Sequence, residues 1–292
     1  MPELPEVETI RRQLQKVLVG QAIKKITVRR AKSWQGDKQA VAGKKILGVE
    51  RKAKMFVIKL SGGMNLWIHL KMTGQLVYTS KPEARNPKPE TRIAGGHPTA
   101  DWVSKLPSKH TRVVLGLSRG RLFFNDMRVF GWVKTVSDKK LKAELDKLPP
   151  DVIDKEATAE YLKKILASSR RAVKLVICDQ AKLGGVGNIY ANDALFCAGI
   201  DPRRQAQKIT NSQFTIFKLH KCLRKVINNG IKYGGATASD ENFVNVSGMG
   251  GKYQEHFLVY ERAGEKCRRD GGIIKKIKLG GRGTYFCPKC QK

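Results

Sequence analysis

The chain has 292 residues, enough for two domains of ordinary size, each with its own core. Lys and Arg number 57 against 25 Asp and Glu, a formal net charge of +32, which implies a polyanionic partner, nucleic acid ahead of an anionic membrane surface. No stretch of apolar residues is long enough to span a bilayer, and no charged-then-apolar leader opens the chain, so a cytoplasmic protein is expected.

In chain order, residues 5–20 read as a helix: Val7, Ile10, Leu14 and Val17 share one face, and Gly20 is a natural stop. From 22 to 136 the pattern becomes short β-like runs: Lys54 to Leu60, Met64 to Leu70, Arg112 to Leu117, Arg121 to Phe124 and Phe130 to Val136. Ser61-Gly62-Gly63 and Ser118-Arg119-Gly120 are turn signals between them. The pattern predicts an N-terminal β-sandwich over 1–137 with the first helix packed against it. Within it, residues 80–110 hold five of the eleven prolines (Pro82, Pro87, Pro89, Pro98, Pro107) and read as a long surface-loop insertion.

Residues 138–153, with Pro149-Pro150, read as a linker. The periodicity is then helical through 233, within an expected helical domain over 154–262. Its longest element starts near Asn211 and is expected to send Phe214, Phe217, Cys222, Leu223, Val226 and Ile227 toward a core. The tail over 263–292 is too short for a core without help. The class is therefore α+β. Cys178, Cys197 and Cys222 sit in apolar, helix-like stretches and read as buried thiols, whereas Cys267, Cys287 and Cys290 cluster near the end of the chain. A reducing compartment favours metal over disulfides for that last group.

Two stretches carry chemistry. The chain opens Met1-Pro2-Glu3-Leu4-Pro5-Glu6-Val7-Glu8-Thr9. Removal of Met1 ahead of a small residue leaves Pro2 with a free secondary amine, which can attack an anomeric carbon and form an iminium. Glu3 and Glu6 supply carboxyl groups suited to the proton transfers of such a reaction. The same residues also fit an ordinary helix start. The second stretch is Gly184-Gly185-Val186-Gly187-Asn188-Ile189-Tyr190-Ala191. A tight turn opening a helix leaves backbone N–H groups free for a phosphate. The preceding residues read as helix with no βαβ unit, which excludes a dinucleotide fingerprint.

The opening segment resembles that of the formamidopyrimidine-DNA glycosylase family, and the likeness recurs at five more places. These are Arg51-Lys52-Ala53-Lys54, His69-Leu70-Lys71-Met72-Thr73-Gly74, Asn125-Asp126-Met127-Arg128-Val129-Phe130-Gly131, the glycine-rich stretch above, and a C-terminal finger. The resemblance implies a bifunctional glycosylase and abasic-site lyase that excises oxidised purines (8-oxoguanine, formamidopyrimidines) from duplex DNA in base excision repair. Pro2 would attack C1′ with Glu3 assisting, Lys54 would hold phosphate and lesion, and strand cleavage would follow by β,δ-elimination. Met72, Arg128 and Phe130 would fill the duplex when a nucleotide is flipped out, as bases inside a duplex must be for chemistry. His110, Arg170, Lys174 and Asn188 would bind the DNA backbone, Asn188 within a helix–two-turns–helix that Arg170, Arg171 and Lys174 lead into. Residues 234–255 would cap the everted base. A monomeric, bacterial, nucleoid-associated protein is implied.

The finger departs from its family. Members with zinc carry Cys-x2-Cys, sixteen residues, then Cys-x2-Cys; here Cys267 is followed by Asp270 at the second position, before Cys287 and Cys290. Carboxylate is an acceptable zinc ligand, so one structural zinc on Cys267, Asp270, Cys287 and Cys290 is expected, held more weakly than by four thiolates. A metal-free hairpin is the rival. Arg282 matches the finger arginine that contacts the lesion's phosphates. Two other functions fit less well. The endonuclease VIII branch, which takes oxidised pyrimidines, usually begins Met-Pro-Glu-Gly, whereas Leu4 stands here. A non-catalytic basic nucleic-acid binder explains the charge but not the N-terminal proline and glutamates.

Overall fold

The computed structural model describes residues 2–80, 92–96, 106–236 and 251–292. The chain divides into two compact units, one of residues 1–147 with 233–252 and one of 148–232 with 253–292.

In the first unit, helix α1 (Leu4–Leu18) buries Leu4, Val7, Ile10, Leu14 and Leu18 completely, the stripe that the 3.6-residue period demands. It packs on a sandwich of two five-stranded sheets. One has β1 (Ile23–Val28), β8 (Thr111–Leu117), β9 (Gly120–Asp126), β6 (Gly74–Ser80) and β7 (Arg92–Gly96) in that order. The other runs β2 (Trp34–Gln35), β10 (Trp132–Ser137), β5 (Met64–His69), β4 (Met55–Leu60) and β3 (Ile46–Lys52). All pairings are antiparallel except β2 with β10. Strand β8 alternates buried and half-buried residues along its length, and its buried Val113, Leu115 and Leu117 join Phe56, Leu66, Ile68 and Phe124 in one core.

Three expectations change here. The insertion over 80–110 is not all loop, because Arg92–Gly96 forms β7, paired with β6 at the sheet edge; residues 81–91 and 97–105 lie outside the described residues. The stretch read as linker contains helix α2 (Asp138–Leu145), capped by the Ser137 hydroxyl, which accepts from Lys140 N. Residues 233–236 and 251–252 group with the first unit although the sequence places them in the helical domain; residues 237–250, part of the stretch expected to cap the everted base, lie outside the described residues.

The second unit is built from α3 (Ala159–Ala167), α4 (Val173–Ile177), α5 (Asn188–Ala198), α6 (Ala206–Ile209) and α7 (Gln213–Lys232), followed by the hairpin β11 (Lys275–Leu279) and β12 (Arg282–Phe286). Helix α7 buries Ile216, Leu219, Cys222, Leu223, Val226 and Ile227. Phe214 and Phe217, expected in that core, are 73% and 56% exposed. They fall on the face opposite the buried stripe, where the residue type misled and the helical period was decisive.

Cys197 and Cys222, read as buried thiols, are joined in a disulfide between α5 and α7 with Cα atoms 5.7 Å apart, while Cys178, Cys267, Cys287 and Cys290 form no disulfide among the described residues. Their 25-residue separation gives a stabilisation of about 3.5 kcal/mol by loop-closure entropy. Alkylation of the denatured, chelator-treated protein should therefore label four cysteines before reduction and six after it. Six labels without reductant would contradict the bond.

Candidate active site and nucleic-acid interface

In the first unit the start of the chain is held by carboxyl groups. Pro2, Glu3 and Glu6 are all buried at the start of α1. Glu3 caps the helix, and Glu6 Oε2 accepts the Glu3 amide at 2.8 Å in a reciprocal capping box. Glu6 Oε1 accepts the amide of Ala236 at 2.8 Å, and Gly235 lies so close that an added Cβ would sit 2.9 Å from that oxygen. Both oxygens of Glu6 are thus engaged with backbone, which suits a holding role better than proton transfer.

Lys54 sits in the two-residue turn between β3 and β4, preceded by Ala53 at a φ of +50°, and is only 3% exposed. Arg51 fixes this turn: its Nη1 donates to Ala53 O at 2.9 Å and its Nε to Glu8 Oε2 at 3.2 Å. Glu8 lies on α1 and also accepts from Arg11 and Arg12. Burial alone would raise the Glu8 pKa, but hydrogen bonds from Arg11 and Arg12 and the charges of Arg11 and Arg51 hold it below the usual carboxylate range. Helix α1 and the Lys54 turn are therefore coupled through Glu8 and Arg51, two residues for which sequence reasoning had assigned no role.

The next turns carry the predicted wedge residues. Met72 follows β5, and Met127, Arg128 and Phe130 follow β9. Met72, Met127 and Phe130 are 37%, 45% and 50% exposed, unusual for large apolar side chains beside a full core. The Arg128 guanidinium lies 4.8 Å from the centre of the Phe130 ring. His69 Nδ1 accepts the amide of Lys71, a residue at φ +53°. Burial first, then the charges of Lys71 and Lys54, push the His69 pKa down to about 3, so the ring stays neutral and keeps its acceptor. His110, half-buried, accepts at its carbonyl from Asp126 N.

In the second unit, the turn Gly280-Gly281 takes φ values of +55° and +78°, the paired left-handed geometry of a tight hairpin, and delivers Arg282 exposed at the start of β12. Arg282, Arg171, Lys174, Gln180 and Gly280 line a pocket of about 320 Å³. Lys174 is 1% exposed, and its Nζ donates to Gly283 O at 2.9 Å and Thr284 Oγ1 at 2.6 Å. This lysine thus ties α4 to the hairpin as well as lining the pocket. Arg170 is exposed, and Arg171 pairs with Asp179 at 2.9 Å. Asn188 opens α5, and its buried side-chain oxygen has no hydrogen-bond partner among the described residues. Two neighbours missed from sequence anchor the same helix: Asn192 Oδ1 accepts Tyr285 N, and the fully buried Asp193 accepts Leu258 N, Val259 N, Tyr260 N and Tyr253 OH. Burial raises the Asp193 pKa against those hydrogen bonds.

The finger gathers Cys267, Asp270, Cys287 and Cys290 with one ligand atom from each within 4.8 Å of the others. Cys267 Sγ lies 3.9 Å from Cys290 Sγ, and Cys287 Sγ lies 3.4 Å from Asp270 Oδ1. Tetrahedral zinc with ordinary bond lengths places sulfurs about 3.8 Å apart and sulfur and oxygen about 3.5 Å apart. The donor set fits that ion.

Three family models match the chain: the formamidopyrimidine-DNA glycosylase N-terminal domain over residues 1–133, the formamidopyrimidine-DNA glycosylase H2TH domain over 148–242, and the zinc finger found in FPG and IleRS over 264–292. The chain belongs to the formamidopyrimidine-DNA glycosylase family. It is 39% identical over 300 residues to the formamidopyrimidine-DNA glycosylase of Pelotomaculum thermopropionicum, covering 100% of this chain and 99% of the relative. Its likeness to that of Desulfitobacterium hafniense is 35% over 298 residues, the whole of both chains. Among solved structures it is similar to MutM (FPG) from Thermus thermophilus (TM-score 0.82, 32% identity, 99% and 98% of the two chains). A complex of Lactococcus lactis Fpg with DNA containing an abasic site matches over 100% of both chains (TM-score 0.83, 30% identity).

This glycosylase is a base-excision-repair enzyme, and its finger holds one structural zinc. No described helix is long and apolar enough to cross a membrane. Asp270 in place of a fourth thiolate makes the metal site tunable. Asp270→Cys should tighten zinc against a competing chromophoric chelator, and Asp270→Ala should loosen it by tenfold or more, about 1.4 kcal/mol per tenfold. Equal retention by all three proteins would contradict the ligand set.

The His69 environment predicts a second outcome. Its pKa is lowered on folding, so the native state binds fewer protons than the unfolded chain between pH 6.5 and about 3. The His69 contribution is intact above pH 6.5 and is lost progressively as the pH falls toward 3. Imidazole NMR should find His69 still neutral at pH 5; protonation near pH 6.5 would contradict this.

Proposed function

We propose that this glycosylase excises oxidised purines, 8-oxoguanine and formamidopyrimidines, and then cleaves the strand as an abasic-site lyase. The observation that carries the reading is the constrained N-terminus: Pro2 and Glu3 buried at the head of α1, pinned by Glu6, with α1 tied to the Lys54 turn through Glu8 and Arg51. A nucleophile must be held in near-attack geometry, and such bracing supplies it.

With Met1 removed, the Pro2 nitrogen attacks C1′ of the damaged nucleotide and the C1′–base bond breaks as Glu3 assists proton transfer. The C1′–O4′ bond of this adduct then breaks as O4′ takes a proton, which opens the sugar ring and leaves an iminium between Pro2 and C1′. Removal of a C2′ proton expels the 3′ phosphate (β-elimination), a second proton loss expels the 5′ phosphate (δ-elimination), and hydrolysis frees the amine. Lys54 holds phosphate and lesion, and Arg282 with Lys174 offers the pocket for a second phosphate. His110, Arg170 and Asn188 add backbone contacts, which position the enzyme without reading sequence. Glu6 acts by holding Glu3 and does not move protons. The zinc, when bound, keeps the finger folded. Lactococcus lactis Fpg is seen with Fapy-dG-containing DNA and also with DNA containing an oxidised pyrimidine, so the purine reading rests on Leu4 and on the paired Arg128 and Phe130.

Pro2→Gly, or a form that retains Met1, should lose strand cleavage by 100-fold or more while DNA affinity changes little, since binding rests on distant cations. Undiminished cleavage by Met1-retaining protein would overturn the assignment. Affinity should fall by roughly one log unit per log unit of salt for each phosphate neutralised. Arg128→Ala should change opposite-base preference more than this slope, as measured by titration at several salt concentrations.

A further inference from the structure

The wedge residues stand on two separate turns, residues 70–73 and 127–131, and exposed turns are ordinarily the softest parts of a sandwich. Here they are joined by one side chain. Asp126, the last residue of β9, is completely buried. Its Oδ1 accepts from the Thr73 hydroxyl and from Arg128 N, the latter at 3.1 Å, and its Oδ2 accepts Gly131 N at 2.7 Å. Thr73 Oγ1 in turn accepts Arg128 N at 3.0 Å, so one hydroxyl bridges both turns.

The surrounding geometry depends on this carboxyl. Lys71 and Val129 sit at φ of +53° and +57°, left-handed conformations that cost energy for any residue with a Cβ and most for a β-branched valine. Gly131 packs so tightly on the first turn that an added Cβ would come within 2.9 Å of His69 O and 3.0 Å of Leu70 O. Arg112 closes the other side, donating to Asp126 O at 2.7 Å, Lys109 O at 3.1 Å and Met127 O at 3.5 Å.

We propose that Asp126 is a positioning residue for base extrusion, locking the Met72 turn and the Arg128–Phe130 turn into one rigid body that enters the duplex as a unit. The inference rests on the reading of Met72, Arg128 and Phe130 as the wedge. A wedge works by offsetting the stacking lost on extrusion, and side chains already ordered lose less entropy on insertion. An aspartate is required because three donors converge on two acceptor oxygens. Asparagine would turn an NH2 toward at least one donor and leave a buried group unsatisfied.

The test is stopped-flow fluorescence with 2-aminopurine beside a stable abasic analogue in duplex DNA, which separates bimolecular association from the later insertion phase. Asp126→Asn should slow insertion about tenfold or more while association stays within about twofold. Thr73→Val should follow it, and Thr73→Ser, which keeps the hydroxyl, should restore the wild-type rate. An Asp126→Asn protein with wild-type insertion overturns the proposal. So does one that loses association and insertion alike, the mark of general unfolding, provided Thr73→Val is also unselective. Met72→Ala and Phe130→Ala serve as the control for the underlying reading: if they leave the insertion phase unchanged, the wedge assignment fails whatever Asp126→Asn does.

Discussion

Glu6 accepts one hydrogen bond from the Glu3 amide three residues away and another from the Ala236 amide 230 residues away. An amine can serve as a nucleophile only if its approach to carbon is fixed, and an N-terminus is by default the most mobile part of a chain. Here the first helical turn is capped, buried and stitched to a distant segment by one carboxyl group. The Glu8–Arg51 pair extends the bracing to the turn of Lys54, so the proposed nucleophile and cation belong to one braced assembly.

The same economy recurs elsewhere. In a protein with a net charge of +32, acidic side chains are scarce, and several of the buried ones organise backbone: Glu6 at the N-terminus, Asp126 between the turns of Met72 and Arg128, and Asp193 at residues 258–260 ahead of the finger. Most cations remain for the outside. Lys174 is an instructive exception, because its buried ammonium rests on a carbonyl and a hydroxyl at the edge of a pocket shared with Arg282.

Much of this was legible in the sequence. The spacing of Val7, Ile10 and Leu14 gave α1, alternation gave most of the sandwich, and the motif segments located the finger ligands and put forward Pro2, Lys54, Met72 and Arg128 as the site residues proposed above. What escaped has physical reasons. Phe214 and Phe217 read as core because they are large and apolar, and only their phase on α7 betrays them. The Cys197–Cys222 bond joins two helices, and pairing cannot be deduced from spacing. Strand β7 lies amid prolines that suggest loop, a signal that edge strands tolerate. Glu8, Arg51, Asp126 and Asp193 act through contacts with residues distant in sequence, which no local pattern announces.

The central claim is that the N-terminal amine forms the covalent bond to the sugar. Borohydride reduction during reaction with oxidised or abasic duplex DNA, followed by proteolysis and mass mapping of the cross-linked peptide, tests it most directly. The account predicts a single adduct on the peptide that begins with Pro2, and none on protein that keeps Met1. An adduct on Lys54 or another lysine, or no adduct despite strand cleavage, would contradict it.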